Sequence, residues 1–449
     1  MKSCVSTKKA YIKIILLCLS VMLLHSCTYV RTFSKKLSVN TAAKILPSQE
    51  NVRITTPEDC MAVYGQITSD DAVNHRLVVV ALSYKFGKVE IVDHQQLFKP
   101  GHFSLYLPFG QYQIYAFSDI NDNNVFENDE CVGFYTASPM LSVAKNESQK
   151  RLLGPITVII SEKNVFKFEM PFSLKVDSWS QIAESKYYSA GTIRSLDDPI
   201  FSEHNGFLGL YEPAEFLTTA GGYLYALNEL DTNKSPIIFV HGVGGTPRDF
   251  KYITENIDRN KFEPLFFYYP SGERLEMVAD ILYEIFLTQK VFDMKMKGRK
   301  VVICAHSMGG IVARAAINKY IKDNKENFLK AFITIATPFG GNDQAAAGVQ
   351  KAPMVIPSWK DVASGSNFIK ELYSVSLPEA IPFYLIFSYH SPKKINIGEN
   401  NDGTIDLKSQ LFPRAQFSAK AIYGFDETHT SILNSPEVVE RLNQILSAI

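Results

Sequence analysis

Residues 301–316 constrain this chain more than any other stretch. Val301-Val302-Ile303-Cys304-Ala305 is apolar and rich in β-branched residues, and it stops at His306-Ser307-Met308-Gly309-Gly310. Ile311-Val312-Ala313-Arg314-Ala315-Ala316 follows at once and suits a helix. A short apolar run that ends in small residues and passes straight into a helix predicts a buried strand, a sharp turn and a helix folded back on the strand. Such a turn strains the serine backbone and lifts its hydroxyl clear of the sheet. Small neighbours are needed because strand and helix nearly touch. The pattern that does this is G-x-S-x-G; here Ala305 stands in the first glycine's place, and alanine is still small. For the pentapeptide alone, an ordinary strand-to-helix turn is the alternative.

A serine hydroxyl is a weak nucleophile at neutral pH and needs a base, which in turn needs an orienting acid. Where an elbow serine acts, the chain order is serine, acid, histidine. Two histidines follow Ser307. His429 lies near the C-terminus, just before a final helix-like segment, and is the expected base. His390 follows the strand-like run Phe383-Tyr384-Leu385-Ile386-Phe387 and is its rival. The acid candidate is Asp402, in the polar turn Asn400-Asn401-Asp402-Gly403, with Asp406 and Asp426 as weaker rivals. An Asp-Gly pair is also an ordinary turn signal. What favours Asp402 is its place between Ser307 and His429.

Ile237-Ile238-Phe239-Val240 reads as a buried strand running into His241-Gly242-Val243-Gly244-Gly245-Thr246-Pro247. A glycine-rich loop at a strand end lets backbone N–H groups face a developing negative charge. The expected donors are the N–H groups of Val243 and Met308, each worth roughly 3–4 kcal/mol of transition-state stabilisation. The loop lacks the Gly-Lys-Ser/Thr ending of a phosphate-binding P-loop. His241 is expected to brace it.

On these residues the C-terminal half, from about residue 190, resembles the α/β-hydrolase superfamily and its lipase and esterase branch. Phe239-Val240-His241-Gly242, Ala305-His306-Ser307-Met308-Gly309, and Asn401-Asp402-Gly403 followed by His429 carry the likeness. Thr334-Ile335-Ala336-Thr337-Pro338-Phe339-Gly340-Gly341 also looks like that branch, and residues 361–372 are similar to its lid region. The resemblance implies a mostly parallel sheet with helices on both faces, and a serine nucleophile. It does not specify a substrate.

Formal net charge is zero, with Lys+Arg and Asp+Glu both 46, so no basic field argues for nucleic acid. Lys8, Lys9 and Lys13 precede an apolar run over residues 14–24. That run is short for a bilayer span and has the proportions of a signal-peptide core. Leu24-His25-Ser26-Cys27 resembles a bacterial lipobox, although His25 is unusual there. The resemblance implies lipidation of Cys27 and attachment to a membrane; simple secretion is the alternative. Thr28, in place of an aspartate, points to the outer membrane.

The expected plan is a signal peptide over 1–26, a tether over 27–55, a small all-β sandwich over 56–175, and the hydrolase over 190–449. The sandwich is read from closely spaced strand-like runs such as Leu77-Val78-Val79-Val80-Ala81-Leu82 and Tyr112-Gln113-Ile114-Tyr115-Ala116-Phe117. It resembles transthyretin-like and carboxypeptidase-regulatory-like accessory domains, particularly at Leu107-Pro108-Phe109-Gly110. Inside it, Asp119, Asn121, Asn123 and Glu130 match the ligand spacing of an EF-hand loop, which offers calcium a site. An Asx-rich turn is the competing reading and the favoured one. Cys60 and Cys131 could pair in an oxidising compartment, and no Cys/His spacing suggests zinc.

The whole reads as an exported serine hydrolase acting on carboxylic esters, lipid or acyl esters foremost, with no required cofactor. An acyltransferase using the same residues, or a non-catalytic envelope scaffold, are the other readings.

Overall fold

A computed structural model describes residues 60–449, apart from 86–87, 145–151, 170, 177–182, 185–190, 221–222, 230, 232, 289–299, 324–327 and 392–399. The signal, Cys27 and the tether lie outside the described residues. No helix among the described residues is long and apolar enough to cross a membrane.

The N-terminal unit is built on strands β1 (Cys60–Thr68), β2 (Leu77–Lys85), β3 (Lys88–Leu97), β4 (His102–Pro108), β5 (Gly110–Ser118), β6 (Val125–Glu127), β7 (Cys131–Phe134), β8 (Leu141–Val143), β9 (Leu152–Ile160) and β10 (Ser173–Lys175). One hydrogen-bonded path runs β3-β2-β5-β7-β9-β1-β4, with β8 beside β5; β6 and β10 pair separately. Pairing is antiparallel except between β1 and β9. The ends of the path meet, because the N–H of Tyr106 on β4 donates to Asp93 on β3 at 2.7 Å. Strand alternation explains the apolar run of β2. Leu77, Val79 and Ala81 enter the inner core, while Val78, Val80 and Leu82 face a second cluster with Phe117, Phe126, Phe168 and Phe172. Cys131 is a buried free thiol.

The 119–130 loop is tied to its own backbone. The Asp119 carboxylate accepts from the N–H groups of Asn123 and Asn124 at 3.0 and 3.1 Å. That of Glu130 accepts from Ile120 and Glu127, both at 3.0 Å. Asp122 and Asn124 take left-handed conformations, φ 55° and 60°, which short polar side chains tolerate. The side-chain oxygens of Asn121 and Asn123 each accept from the N–H two residues on, the bond of an Asx turn. Among the described residues no group of three or more His, Cys, Asp or Glu is placed to hold a metal ion.

The C-terminal unit is a second sheet of β11 (Ala183–Glu184), β12 (Gly191–Ile193), β13 (Leu224–Ala226), β14 (Ser235–Val240), β15 (Phe262–Phe267), β16 (Val301–His306), β17 (Leu329–Ile335), β18 (Phe383–Ser388) and β19 (Ala421–Phe425), in the order β11-β12-β13-β15-β14-β16-β17-β18-β19. From β15 to β19 every pairing is parallel. The strands of this parallel part are mostly apolar, as expected of a sheet covered on both faces. All six residues of β16 are buried. This is the α/β-hydrolase architecture expected from the sequence. Chain order reverses at β14, with β15 on one side of it and β16 on the other. Ligand sites of open α/β sheets form outside the carboxyl ends of strands at such a reversal. Val240 lies directly opposite Ala305, so the loops after β14 and β16 leave the sheet side by side.

Candidate active site

Ser307 follows β16 with φ 52°, a left-handed conformation that costs a non-glycine residue energy. Two backbone bonds hold it there. Its N–H donates to the Ile335 carbonyl at 2.8 Å, and its own carbonyl accepts from Gly310 at 2.9 Å. The helix Met308–Asp323 starts at the next residue. Its glycines are spatial necessities. A Cβ on Gly309 would lie 2.4 Å from the carbonyl oxygens of both Val240 and His241, and one on Gly310 would lie 2.0 Å from Thr337 Oγ1. Ala305 is an ordinary buried strand residue, which is why alanine serves in that place.

The structure brings Ser307, His429 and Asp402 together. Ser307 Oγ lies 2.8 Å from His429 Nε2, and His429 Nδ1 lies 2.7 Å from Asp402 Oδ2. A carboxylate beside Nδ1 favours the tautomer with its proton on Nδ1, leaving Nε2 to accept from the hydroxyl. His429 occupies the loop between β19 and the C-terminal helix Pro436–Ser447, and Asp402 the turn after β18.

Asp402 is fully buried yet fully served. Oδ1 accepts from the N–H groups of Thr404 and Ile405 at 3.0 and 2.7 Å. Oδ2 also accepts from Ser388 Oγ at 2.7 Å and Gln410 Nε2 at 3.0 Å. Burial pushes its pKa up, but the bonds and charge of His429, with the N–H of Ile405 and the Ser388 hydroxyl, outweigh it and hold the carboxyl below its ordinary value.

The rivals are placed elsewhere. His390 and Asp426 pair with each other at the surface, 3.0 Å apart. Asp406 precedes a short helix and sits 3.6 Å from Lys408. Cys304 is buried, and burial pushes its thiol up to about 12, so it is inert.

The loop after β14 lies against the serine. A Cβ on Gly242 would come within 2.9 Å of Ser307 Cβ. The N–H groups of Gly244, Gly245 and Thr246 are engaged by Ser271 Oγ, the Gly242 carbonyl and Asp249. Among the described residues no hydrogen bond engages the N–H of Val243 or of Met308. Both are available to an oxyanion, and Met308 adds the positive end of its helix. His241 is buried and stacks on Tyr269 at 4.2 Å. Its Nδ1 lies 2.8 Å from the Gly242 carbonyl and its Nε2 3.2 Å from the Tyr269 N–H. Burial lowers its pKa to about 4, so it stays neutral and braces the loop.

Sequence reading did not find Ser388, Gln410, Ser271 or the role of His306. Each acts through a contact across the fold. The one local hint is Ser388, a polar residue closing an apolar strand. His306 donates from Nε2 to the carbonyl of His429 at 2.9 Å, and burial first, then the charge of His429, lowers its pKa to about 3.

Residues 232–369 match the family described as "Putative serine esterase (DUF676)". That interval holds His241, Val243, Ser307 and Met308, and ends before Asp402 and His429. No curated protein matches the chain. Solved structures similar to it include Bacillus licheniformis lipase BlEst2 in its mature form, at 19% identity and TM-score 0.38, covering 50% of this chain and 97% of that one. Aspergillus fumigatus lipase B is 15% identical with TM-score 0.37, covering 50% of this chain and 56% of that one. Phospholipase PlaB from Legionella pneumophila is 15% identical with TM-score 0.33, covering 39% and 45%. Its own strand order gives the C-terminal half the α/β-hydrolase fold, and within it residues 232–369 are similar to a family of serine esterases.

Proposed function

We propose that the C-terminal half hydrolyses carboxylic esters through an acyl-enzyme. Ser307 attacks the ester carbonyl while His429 takes its proton. Asp402 fixes the imidazole tautomer and stabilises the imidazolium. The N–H groups of Val243 and Met308 receive the oxyanion, and water then releases the acyl group using the same base. The observation that carries this reading is the unbroken hydrogen-bond chain from Asp402 through His429 to Ser307, at 2.7 and 2.8 Å.

An apolar acyl group suits the surroundings. Phe207 and Leu210 stand 3.3 and 3.9 Å from where a Cβ on Gly244 would be. They form one cluster with Tyr211, Met354, Ile356 and Trp359. This supports lipid or long acyl esters as substrates. The N-terminal residues support an exported protein anchored through Cys27 at the outer membrane, with the β-rich unit as an accessory module beside the membrane.

Ser307→Ala is the test. It should abolish p-nitrophenyl ester hydrolysis and fluorophosphonate labelling while leaving the urea unfolding curve unchanged. Labelling that survives in the variant overturns the assignment. A series of acyl chain lengths then fixes the substrate class; preference for acetyl esters would sink the lipid reading.

A further inference from the structure

His306 has no part in the proton path, yet it is held as firmly as the residues that do. It closes β16, immediately before the nucleophile, and is buried. Its Nε2 lies 2.9 Å from the backbone carbonyl of His429, and the two rings are 4.9 Å apart. A carbonyl oxygen only accepts, so Nε2 must carry a proton, and in the neutral ring Nδ1 is then bare. A Cβ built on Gly242 would lie 3.4 Å from that Nδ1, so the ring also borders the loop that carries Val243.

We propose that His306 is a positioning residue that fixes the backbone of His429 to the nucleophile strand and thereby sets the distance between base and serine. The inference rests on the reading of Ser307 and His429 as nucleophile and base. Three other bonds hold His429. Its N–H donates to the Asp402 carbonyl at 2.9 Å, Nδ1 meets Asp402 Oδ2, and Nε2 meets Ser307 Oγ. Asp402 fixes the ring and the amide from one side. Among the described residues, only the bond from His306 ties the carbonyl side of the peptide to the strand that presents Ser307. Two consecutive residues therefore set the reaction geometry, Ser307 by carrying the attacking oxygen and His306 by holding its base in reach.

A neutral donor is required in this place. The ring faces His429, Asp402 and His241. A charged His306 would oppose the imidazolium that forms on His429 during attack.

The test uses the full chain and two substitutions. His306→Phe keeps a ring but removes the donor, whereas His306→Gln keeps an N–H near the position of Nε2. For a soluble short-chain ester, His306→Phe should lower kcat by about 10- to 100-fold, the scale of a displaced catalytic group, with KM within about 2-fold. His306→Gln should recover most of that loss. Equal impairment of both variants, or full activity in His306→Phe, overturns the proposal. The unsubstituted protein gives a second readout that needs no variant to fold. Long-range nitrogen–proton NMR of its imidazoles should show His306 as the Nε2–H tautomer without titration from pH 5 to 9. An Nδ1–H tautomer, or titration in that range, refutes the role. The tautomer does not depend on Ser307, so loss of the ester-hydrolase reading, seen as activity surviving in Ser307→Ala, is distinguishable from failure of this one.

Discussion

Asp402 grips His429 twice: Oδ2 lies 2.7 Å from the ring Nδ1, and the Asp402 backbone carbonyl accepts the His429 N–H at 2.9 Å. The second bond is independent of charge. It keeps the histidine near the acid even when the side-chain contact is altered, so tautomer and placement can be separated by experiment.

Asp402→Asn should separate them. An amide can donate to Nδ1 and so favour the wrong tautomer, with Nε2 protonated and unable to accept from Ser307. A fall in kcat of about 10⁴-fold is expected, with little change in KM. Steady-state ester kinetics reads both. A loss under about 10-fold would show that Asp402 does not set the tautomer.

Ser388→Ala should give a milder version of the same defect. Ser388 Oγ donates to the buried Asp402 Oδ2 at 2.7 Å. Hydrogen bonds to charged groups are worth about 1.5–3 kcal/mol. Stability in urea should drop by that amount, and kcat by about 10-fold, because His429 loses part of its anchored counter-charge. Unchanged stability would place the hydroxyl outside this network.

Gly309→Ala and Ala305→Gly form a contrasting pair. The first puts a methyl 2.4 Å from two backbone carbonyl oxygens that cannot rotate away. Overpacking of this kind costs about 1–3 kcal/mol, and the shift it forces on the Ser307 turn should cost about 100-fold in kcat. The second restores the usual glycine at a strand position that does not need it, and should cost about 1 kcal/mol of stability with activity nearly intact. The unfolding midpoint and kcat of the two variants decide the matter; a harmless Gly309→Ala would contradict the close approach of helix and strand.

The pH dependence of stability tests the neutral state of His306. Its pKa is about 3 in the folded chain against an ordinary 6.5. Between these values the unfolded chain binds a proton that the folded chain refuses. The contribution of His306 is thus fully present above pH 6.5 and is lost toward pH 3, at about 1.4 kcal/mol per pH unit. Asp249 has the opposite sign, since burial raises its carboxyl to about 6 and acid favours its folded form. The raw curve mixes these with other shifted groups such as His241, but the difference between the unsubstituted protein and His306→Gln isolates His306. The variant should gain on the parent by about 1.4 kcal/mol per unit from pH 6 to pH 4. Parallel unfolding curves would mean that His306 titrates normally.

Much of this was legible in the sequence, and for identifiable reasons. The parallel sheet announces itself as unbroken apolar runs because both its faces are covered. The chain positions of Ser307, Asp402 and His429 stand out because each lies in a polar or small-residue turn after such a run. Contacts across the fold left no such trace. Ser388 and Gln410 are separated from Asp402 by 14 and 8 residues, and nothing local marks them as its partners. His306 was visible as part of a motif, but its bond to residue 429 spans 123 positions. In the N-terminal unit, closely spaced aromatic and β-branched runs marked the strands, whereas the bond from Tyr106 on β4 to Asp93 on β3 left no sign in the sequence.

The placement of consecutive residues at the end of β16 has a consequence for how this chain can vary. Strand side chains alternate between faces, so a shift by one residue would bring His306 to the attacking station and carry Ser307 into the helix. Substitutions along the strand can be absorbed by repacking. A single-residue insertion between 301 and 306 cannot, because it makes that shift, and a deletion brings Met308 to the attacking station instead, so neither leaves a serine there.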